Sequence, residues 1–150
     1  RFGPNDSFLA EKDRITLPSG RVLHYANARY QGTENVSSFD IKVVFDSGKF
    51  TKQGVAIPKY LWHGLLIENL AQATARDILA WQMVKVEDFL QRGDFGWVSG
   101  SVHDEILSMV DEESAEFVHK EIESIMSTGP EWSAGLPLAC EGGYAREYSK

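Results

Sequence analysis

Apolar positions change their spacing three times along this chain, and each change marks a new element. Ile15, Leu17, Val22, Leu23, Tyr25 and Tyr30 cluster around Pro18-Ser19-Gly20, whose residues favour a turn, so Arg14 to Tyr30 predicts a short hairpin. Phe39, Ile41, Val43 and Phe45 then alternate with polar residues, and Asp46-Ser47-Gly48-Lys49 supplies a turn before Phe50, which predicts a second hairpin. From about Pro58 the step lengthens. Leu61, Leu65, Leu70, Thr74, Ile78 and Trp81 recur every three to five residues, and Leu66, Ile67, Ala71, Ala75 and Leu79 widen the stripe. That pattern predicts a helix from about Lys59 to Gln91, largely buried on one side and stopped near Gly93. Phe95 to Val110 returns to β-branched and aromatic residues around a polar centre, His103 to Glu105. Asp111 stands as an N-cap before acidic residues, and Phe117, Val118, Ile122, Ile125 and Met126 give a second amphipathic helix ending before Gly129-Pro130.

The expected class is therefore α+β in one domain: a mobile opening segment over 1–13, strands and hairpins over 14–57, a long helix over 58–92, a hairpin over 95–110, a helix over 111–128 and a tail over 129–150. Composition agrees, since 150 residues with 43% hydrophobic and 25% charged positions suit a soluble domain with a real core. No apolar run approaches the length of a membrane span, and the start, Arg1-Phe2-Gly3-Pro4-Asn5-Asp6, has no signal-peptide pattern. A soluble protein of a reducing, intracellular compartment is expected, with no membrane partner. Cys140 is the one cysteine, which excludes an internal disulfide and a cysteine-based zinc site.

Val102-His103-Asp104-Glu105-Ile106 is the stretch that carries candidate chemistry. Two adjacent acids between apolar strands would be costly in a sheet interior unless paired or bound to a metal. Taken alone, the same residues also read as the polar tip of a hairpin between Trp97 to Val102 and Ile106 to Val110. Charge bears on the choice of partner. The net charge is -7, which disfavours nucleic acid because affinity there comes from neutralised phosphates. The distribution is uneven, however: Lys12 to Lys59 holds eight basic residues against four acids, whereas Asp104 to Glu131 holds nine acids against Lys120.

Upstream of the acidic pair stands Glu68-Asn69-Leu70-Ala71-Gln72-Ala73-Thr74-Ala75-Arg76-Asp77. With Val102-His103-Asp104-Glu105, this order and spacing resembles the C-terminal end of family A DNA polymerases, especially the bacteriophage-type branch. There a helix with an E-N-x-x-Q-A-x-A-R-D pattern precedes a β-turn-β unit with V-H-D-E, called motif C. Leu17-Pro18-Ser19-Gly20-Arg21 and Tyr25-Ala26-Asn27-Ala28-Arg29 look like the L-P-S-G-R and Y-x-N-A-R segments of the same branch. The C-terminal stretches Ala134-Gly135-Leu136-Pro137-Leu138 and Tyr148-Ser149-Lys150 fall in family order too. The chain departs from the pattern at Leu61-Trp62-His63-Gly64-Leu65, where a Y-G-G-K-like run is usual: a glycine remains and the lysine is lost.

The resemblance implies the second half of a polymerase palm and template-directed nucleotidyl transfer by two metal ions. It implies Asp104 as a Mg2+ ligand and catalytic residue, and Glu105 as an auxiliary catalytic carboxylate. It implies substrate or DNA binding for His103 at the primer terminus, for Gln72 at the minor-groove edge of the terminal pair, and for Asn69, Arg29 and Arg21. The expected partners are primer-template DNA and deoxynucleotides. No segment here resembles the motif A that supplies the second aspartate, nor the fingers; Asp40 and Asp46 lie in other contexts. An upstream half, as a separate chain or a longer polypeptide, is therefore expected, together with inactivity of the isolated chain and a viral origin acting in the host cytoplasm. An isolated half should also expose a sheet edge and an apolar patch, with Trp62, Trp81, Trp97 and Trp132 as candidates. Two other readings stay open: a non-catalytic binding or assembly module that keeps the fold, and a metal-dependent phosphoesterase using Asp104, Glu105 and His103.

Overall fold

The computed structural model describes residues 1–3, 6–31 and 42–148. The described chain is α+β and falls into two compact units, Arg1–Thr74 and Ala75–Lys150.

In the first unit, β1 (Leu9–Glu11), β2 (Arg14–Thr16) and β3 (Val22–His24) form an antiparallel sheet in that order. The Pro18-Ser19 turn between β2 and β3 closes with Leu17 donating to the Arg21 carbonyl at 2.8 Å, and Gly20 takes the left-handed φ of +87° that this closure needs. Strand β1 lies within the 1–13 opening segment: Leu9, Ala10 and Glu11 pair with Thr16, Ile15 and Arg14. Pro4 and Asn5 of the expected opening turn lie outside the described residues.

A second sheet orders β4 (Arg29–Gln31), β5 (Lys42–Phe50) and β6 (Ala56–Tyr60), all antiparallel. The predicted turn at Asp46-Ser47-Gly48-Lys49 lies inside β5, where the register shifts between Asp46 and Phe50. Gly48, at φ +76°, accommodates this irregularity, and the reversal comes later, where Thr51 donates to the Val55 carbonyl. Phe39, Asp40 and Ile41 lie outside the described residues. Strand β6 also displaces the expected helix start. Tyr60, Lys59 and Pro58 pair with Val44, Phe45 and Asp46, so these residues are consumed by the sheet. Pro58 is tolerated there because β6 is an outer strand of this sheet. Among the described residues of the unit, Ile15, Leu17, Tyr25, Val44 and Ala73 are the buried apolar ones.

Helix α1 (His63–Gly93) begins in the first unit and continues through much of the second. Its C-terminal half meets a hairpin of β7 (Gly96–Val102) and β8 (Glu105–Val110), and α2 (Ala115–Met126) completes the second unit. Val86, Leu90 and Val118 are almost wholly buried, and Phe89, Phe95, Val98, Ile106, Val110, Ile122, Ile125 and Met126 pack around them. Phe95 and Phe117 meet edge to face with centroids 5.6 Å apart. Asp111 precedes a single 3-10 turn, Glu112–Ser114, without a side-chain capping bond; α2 starts at Ala115, later than the expected residue 111. Buried Gln82 donates to the Met126 and Thr128 carbonyls at 2.5 and 2.8 Å, satisfying acceptors at the end of α2. Of the four tryptophans named as patch candidates, Trp62 and Trp97 are exposed and Trp81 and Trp132 are half-buried.

Candidate functional site

Antiparallel pairing runs to the end of β7 and β8, with Val102 opposite Glu105, which leaves His103-Asp104 as a two-residue connection. Such tight connections require positive φ at the first central residue. His103 supplies it at φ +55°, a region that L-residues adopt at a cost of about 1–3 kcal/mol. Glycine would fit more easily there, although Asp6, Asn27 and Asp94 take similar positive φ values elsewhere in the chain. His103, Asp104 and Glu105 are all exposed. This overturns the expectation of acids in a sheet interior: a turn this short puts both carboxylates past the end of the strands, where water solvates them and no metal is needed to offset burial.

The base of the hairpin is held firmly. Glu87 on α1 accepts a hydrogen bond from the Val98 amide at 2.6 Å and another from Gln91 at 2.9 Å. The charge-assisted bond to Val98 ties β7 to the helix beside the register shift between Val98 and Gly100. Gly96 lies so close to β8 that a Cβ would run into the Met109 carbonyl oxygen. Glu87 escapes sequence reading because a carboxylate on a helix face looks like any other solvated acid; only a three-dimensional partner distinguishes it.

Glu105 accepts a hydrogen bond from the Tyr148 hydroxyl at 3.1 Å. Asp104 and Glu105 thus present hard oxygen donors of the kind Mg2+ prefers. No group of three candidate metal ligands occurs among the described residues.

The other predicted site residues lie in the first unit. Asn69, half-buried, donates to the Tyr25 hydroxyl at 3.2 Å, and Tyr25 packs edge to face on Phe45. Arg21 donates to the Ala73 carbonyl at 2.6 Å, tying the Pro18-Ser19 turn to α1 one residue beyond Gln72. Gln72 itself is exposed. Arg29 pairs with Asp46 at 3.0 Å, and Asn27 donates to the same carboxylate at 2.7 Å. The Asn27 amide first and the Arg29 guanidinium second hold the Asp46 carboxyl below its ordinary pKa. The structure therefore gives Tyr25, Asn27 and Arg29 a shared structural task, anchoring β5 and α1, that spacing alone does not reveal.

Sequence comparison adds an independent observation. The chain is 30% identical over 138 residues to a DNA polymerase of Bacillus phage SP02, an alignment that covers 91% of this chain and 19% of that protein. It thus spans about a fifth of the length of the relative it matches. No protein-family profile matches the chain, and neither does any solved structure. The chain is related in sequence to a phage DNA polymerase.

Proposed function

We propose that this chain is the C-terminal part of the catalytic palm of a DNA-directed DNA polymerase of the family A, bacteriophage type, acting on primer-template DNA and deoxynucleotides. The observation that carries this reading is the β7–β8 tip: a tight turn on a core-anchored hairpin projects Asp104 and Glu105 into solvent, in a segment related to a phage polymerase. Asp104 is the metal ligand and Glu105 the auxiliary carboxylate. Divalent cations, when held there, would stabilise the attacking and leaving oxygens of nucleotidyl transfer. Asp104 orients its oxygens from a backbone fixed on both sides by cross-strand bonds, and exposure leaves it open to ligands from outside the described residues. His103, whose backbone is held at the corner, faces the primer terminus, and Gln72 offers an amide donor for the minor-groove acceptors of the terminal pair. Arg21, Arg29 and Asn69 act chiefly by holding the scaffold.

The second aspartate and the fingers come from an upstream half, whether separate or part of a longer polypeptide. The setting is the cytoplasm of an infected host; no helix among the described residues is long and apolar enough to cross a membrane. The test is extension of a 5′-overhang DNA duplex with Mg2+ by the chain combined with its upstream half, with and without the four deoxynucleotides. Growth of the primer only when nucleotides are present supports the proposal. Primer shortening that needs no nucleotides supports the phosphoesterase, and neither change supports a binding module.

A further inference from the structure

Charge is divided between the two units of this chain. Residues 1–74 hold nine Lys or Arg against seven Asp or Glu, whereas residues 75–150 hold six against fifteen, so the excess of acid lies entirely in the second unit. In the first, positive charge gathers on the β5–β6 hairpin. Lys42, Lys49, Lys52 and Lys59 are all exposed, and among the described residues no ion pair engages any of them. Asp46, the one acid between Lys42 and Tyr60, is taken by Arg29 and Asn27. The same ribbon presents aromatic rings to solvent. Phe50 stands opposite Ala56; opposite residues of an antiparallel pair share a face, and so do alternate residues of one strand. Ala56, Pro58 and Tyr60 therefore line one face of β6, and Phe50 joins them from β5, about 13 Å from Tyr60 along the strand at a rise of about 3.3 Å per residue. Both rings are exposed, as are Val55 and Ile57 on the same hairpin. Lys42 Nζ stands 6.0 Å from the Tyr60 ring centroid, and Lys49 and Lys52 flank Phe50 at the turn. An exposed apolar cluster rimmed by polar residues marks an interaction surface, and here the rim has one sign of charge.

We propose that the β5–β6 hairpin is a binding arm for single-stranded DNA, built from residues other than those of the β7–β8 tip. Bases stack on Phe50 and Tyr60, and Lys42, Lys49, Lys52 and Lys59 neutralise the backbone that joins them. Stacking tolerates any sequence because every base has a π-face, and a lysine ammonium is a point charge that follows a phosphate without reading a base. A duplex hides its base faces, so the exposed rings favour an unpaired strand. Aromatic rings interleaved with unpaired lysines on one ribbon are the two parts that single-strand recognition combines.

The choice of DNA over an acidic protein rests on the polymerase reading, and the test separates the two. Binding of a fluorescent thymidine oligonucleotide of about twelve nucleotides, within the range of about 4–16 that single-strand-binding folds occupy, is followed by anisotropy on the 150-residue chain without Mg2+ or deoxynucleotides. Four neutralised phosphates are expected to give a slope of about -2.8 for the logarithm of the association constant against that of salt, and the double variant Lys49→Gln, Lys52→Gln should bring it to about -1.4. Phe50→Ala is expected to weaken binding about five- to tenfold, the scale of one lost stacking contact, with unchanged thermal unfolding. The double variant Lys85→Gln, Lys120→Gln removes the same charge from the second unit and should leave affinity and slope as in wild type. Failure of the wild type to bind the oligonucleotide overturns the arm, and so does full affinity in Phe50→Ala. Equal losses in the two double variants overturn it as well, because the attraction would then be general. Polyglutamate bound as tightly as the oligonucleotide and indifferent to Phe50→Ala assigns the hairpin to an acidic protein and overturns the proposal too. Primer extension by the completed polymerase is scored apart: its failure beside hairpin-dependent binding removes the polymerase reading alone, and extension without such binding removes the arm alone.

Discussion

The β5–β6 and β7–β8 hairpins arise from similar alternating sequences and are anchored by different balances of apolar and polar contact. In the first, Val44 is buried and Phe45 packs on Tyr25, but Phe50, Val55, Ile57 and Tyr60 are exposed, and the polar group of Asp46, Asn27 and Arg29 fixes the strand. In the second, Val98, Ile106 and Val110 enter the packing around Val86, Leu90 and Val118, and Glu87 adds a polar tie from α1 to the Val98 amide. Lys49 and Lys52 stand near the tip of the first hairpin, Asp104 and Glu105 at the tip of the second. The difference shows what fixes the direction of a hairpin tip: it holds when the strands beneath it are packed and tied to a helix.

This contrast can be broken most severely at Leu90. Leu90→Ala removes a wholly buried side chain and should destabilise the second unit by about 2–5 kcal/mol, read as a lowered urea midpoint followed by Trp97 fluorescence. Glu87→Ala strikes the hydrogen bond between helix and β7, with an expected loss of about 1–2 kcal/mol and faster hydrogen exchange at the Val98 amide. If exchange at Val98 is unchanged, the helix does not anchor the hairpin.

The polar anchor of the first hairpin should be sensitive to acid. The Asp46 pKa is depressed from its ordinary 3.8, so its contribution to stability is full above that value and is lost as pH falls through the lowered one. Acid unfolding of the first unit should flatten in Asp46→Asn, which cannot titrate; an identical pH profile would remove Asp46 from the account. The smallest effect is expected at Phe50, 65% exposed, where Phe50→Ser should change stability by no more than about 0.5 kcal/mol. A much larger loss would mean that the β5–β6 hairpin is packed more like its counterpart.

Much of this architecture was legible in sequence because it follows from periodicity. The 3.6-residue stripe gave α1, and the polar interruption between two apolar runs gave the β7–β8 turn to within a residue. What periodicity misses is pairing at a distance. Asp46 in Asp-Ser-Gly-Lys has the composition of a turn, yet it sits within β5 because Arg29 and Asn27 hold it there. Pro58 resembles a helix start, yet β5 recruits it into β6. Glu87, Gln82 and Tyr148 carry no local signal, since each is defined by a partner 11 to 46 residues away. The tip acids stand out in the sequence as a polar interruption, but whether they lie in a sheet interior or at a hairpin tip depends on the exact length of the turn, which the structure resolves in favour of the exposed tip.

The measurement that bears most directly on the central claim is the primer-extension rate of Asp104→Asn in the completed polymerase, beside its thermal unfolding. Asparagine keeps the size of the side chain and removes the charge, and Asp104 is exposed, so the unfolding temperature should hold. The account predicts unchanged folding with a rate reduced by more than about a hundredfold, as when charge stabilisation is lost at a reacting phosphate. A variant that folds and extends primers as wild type would contradict it, and Asp104 would then be only the polar tip of a hairpin.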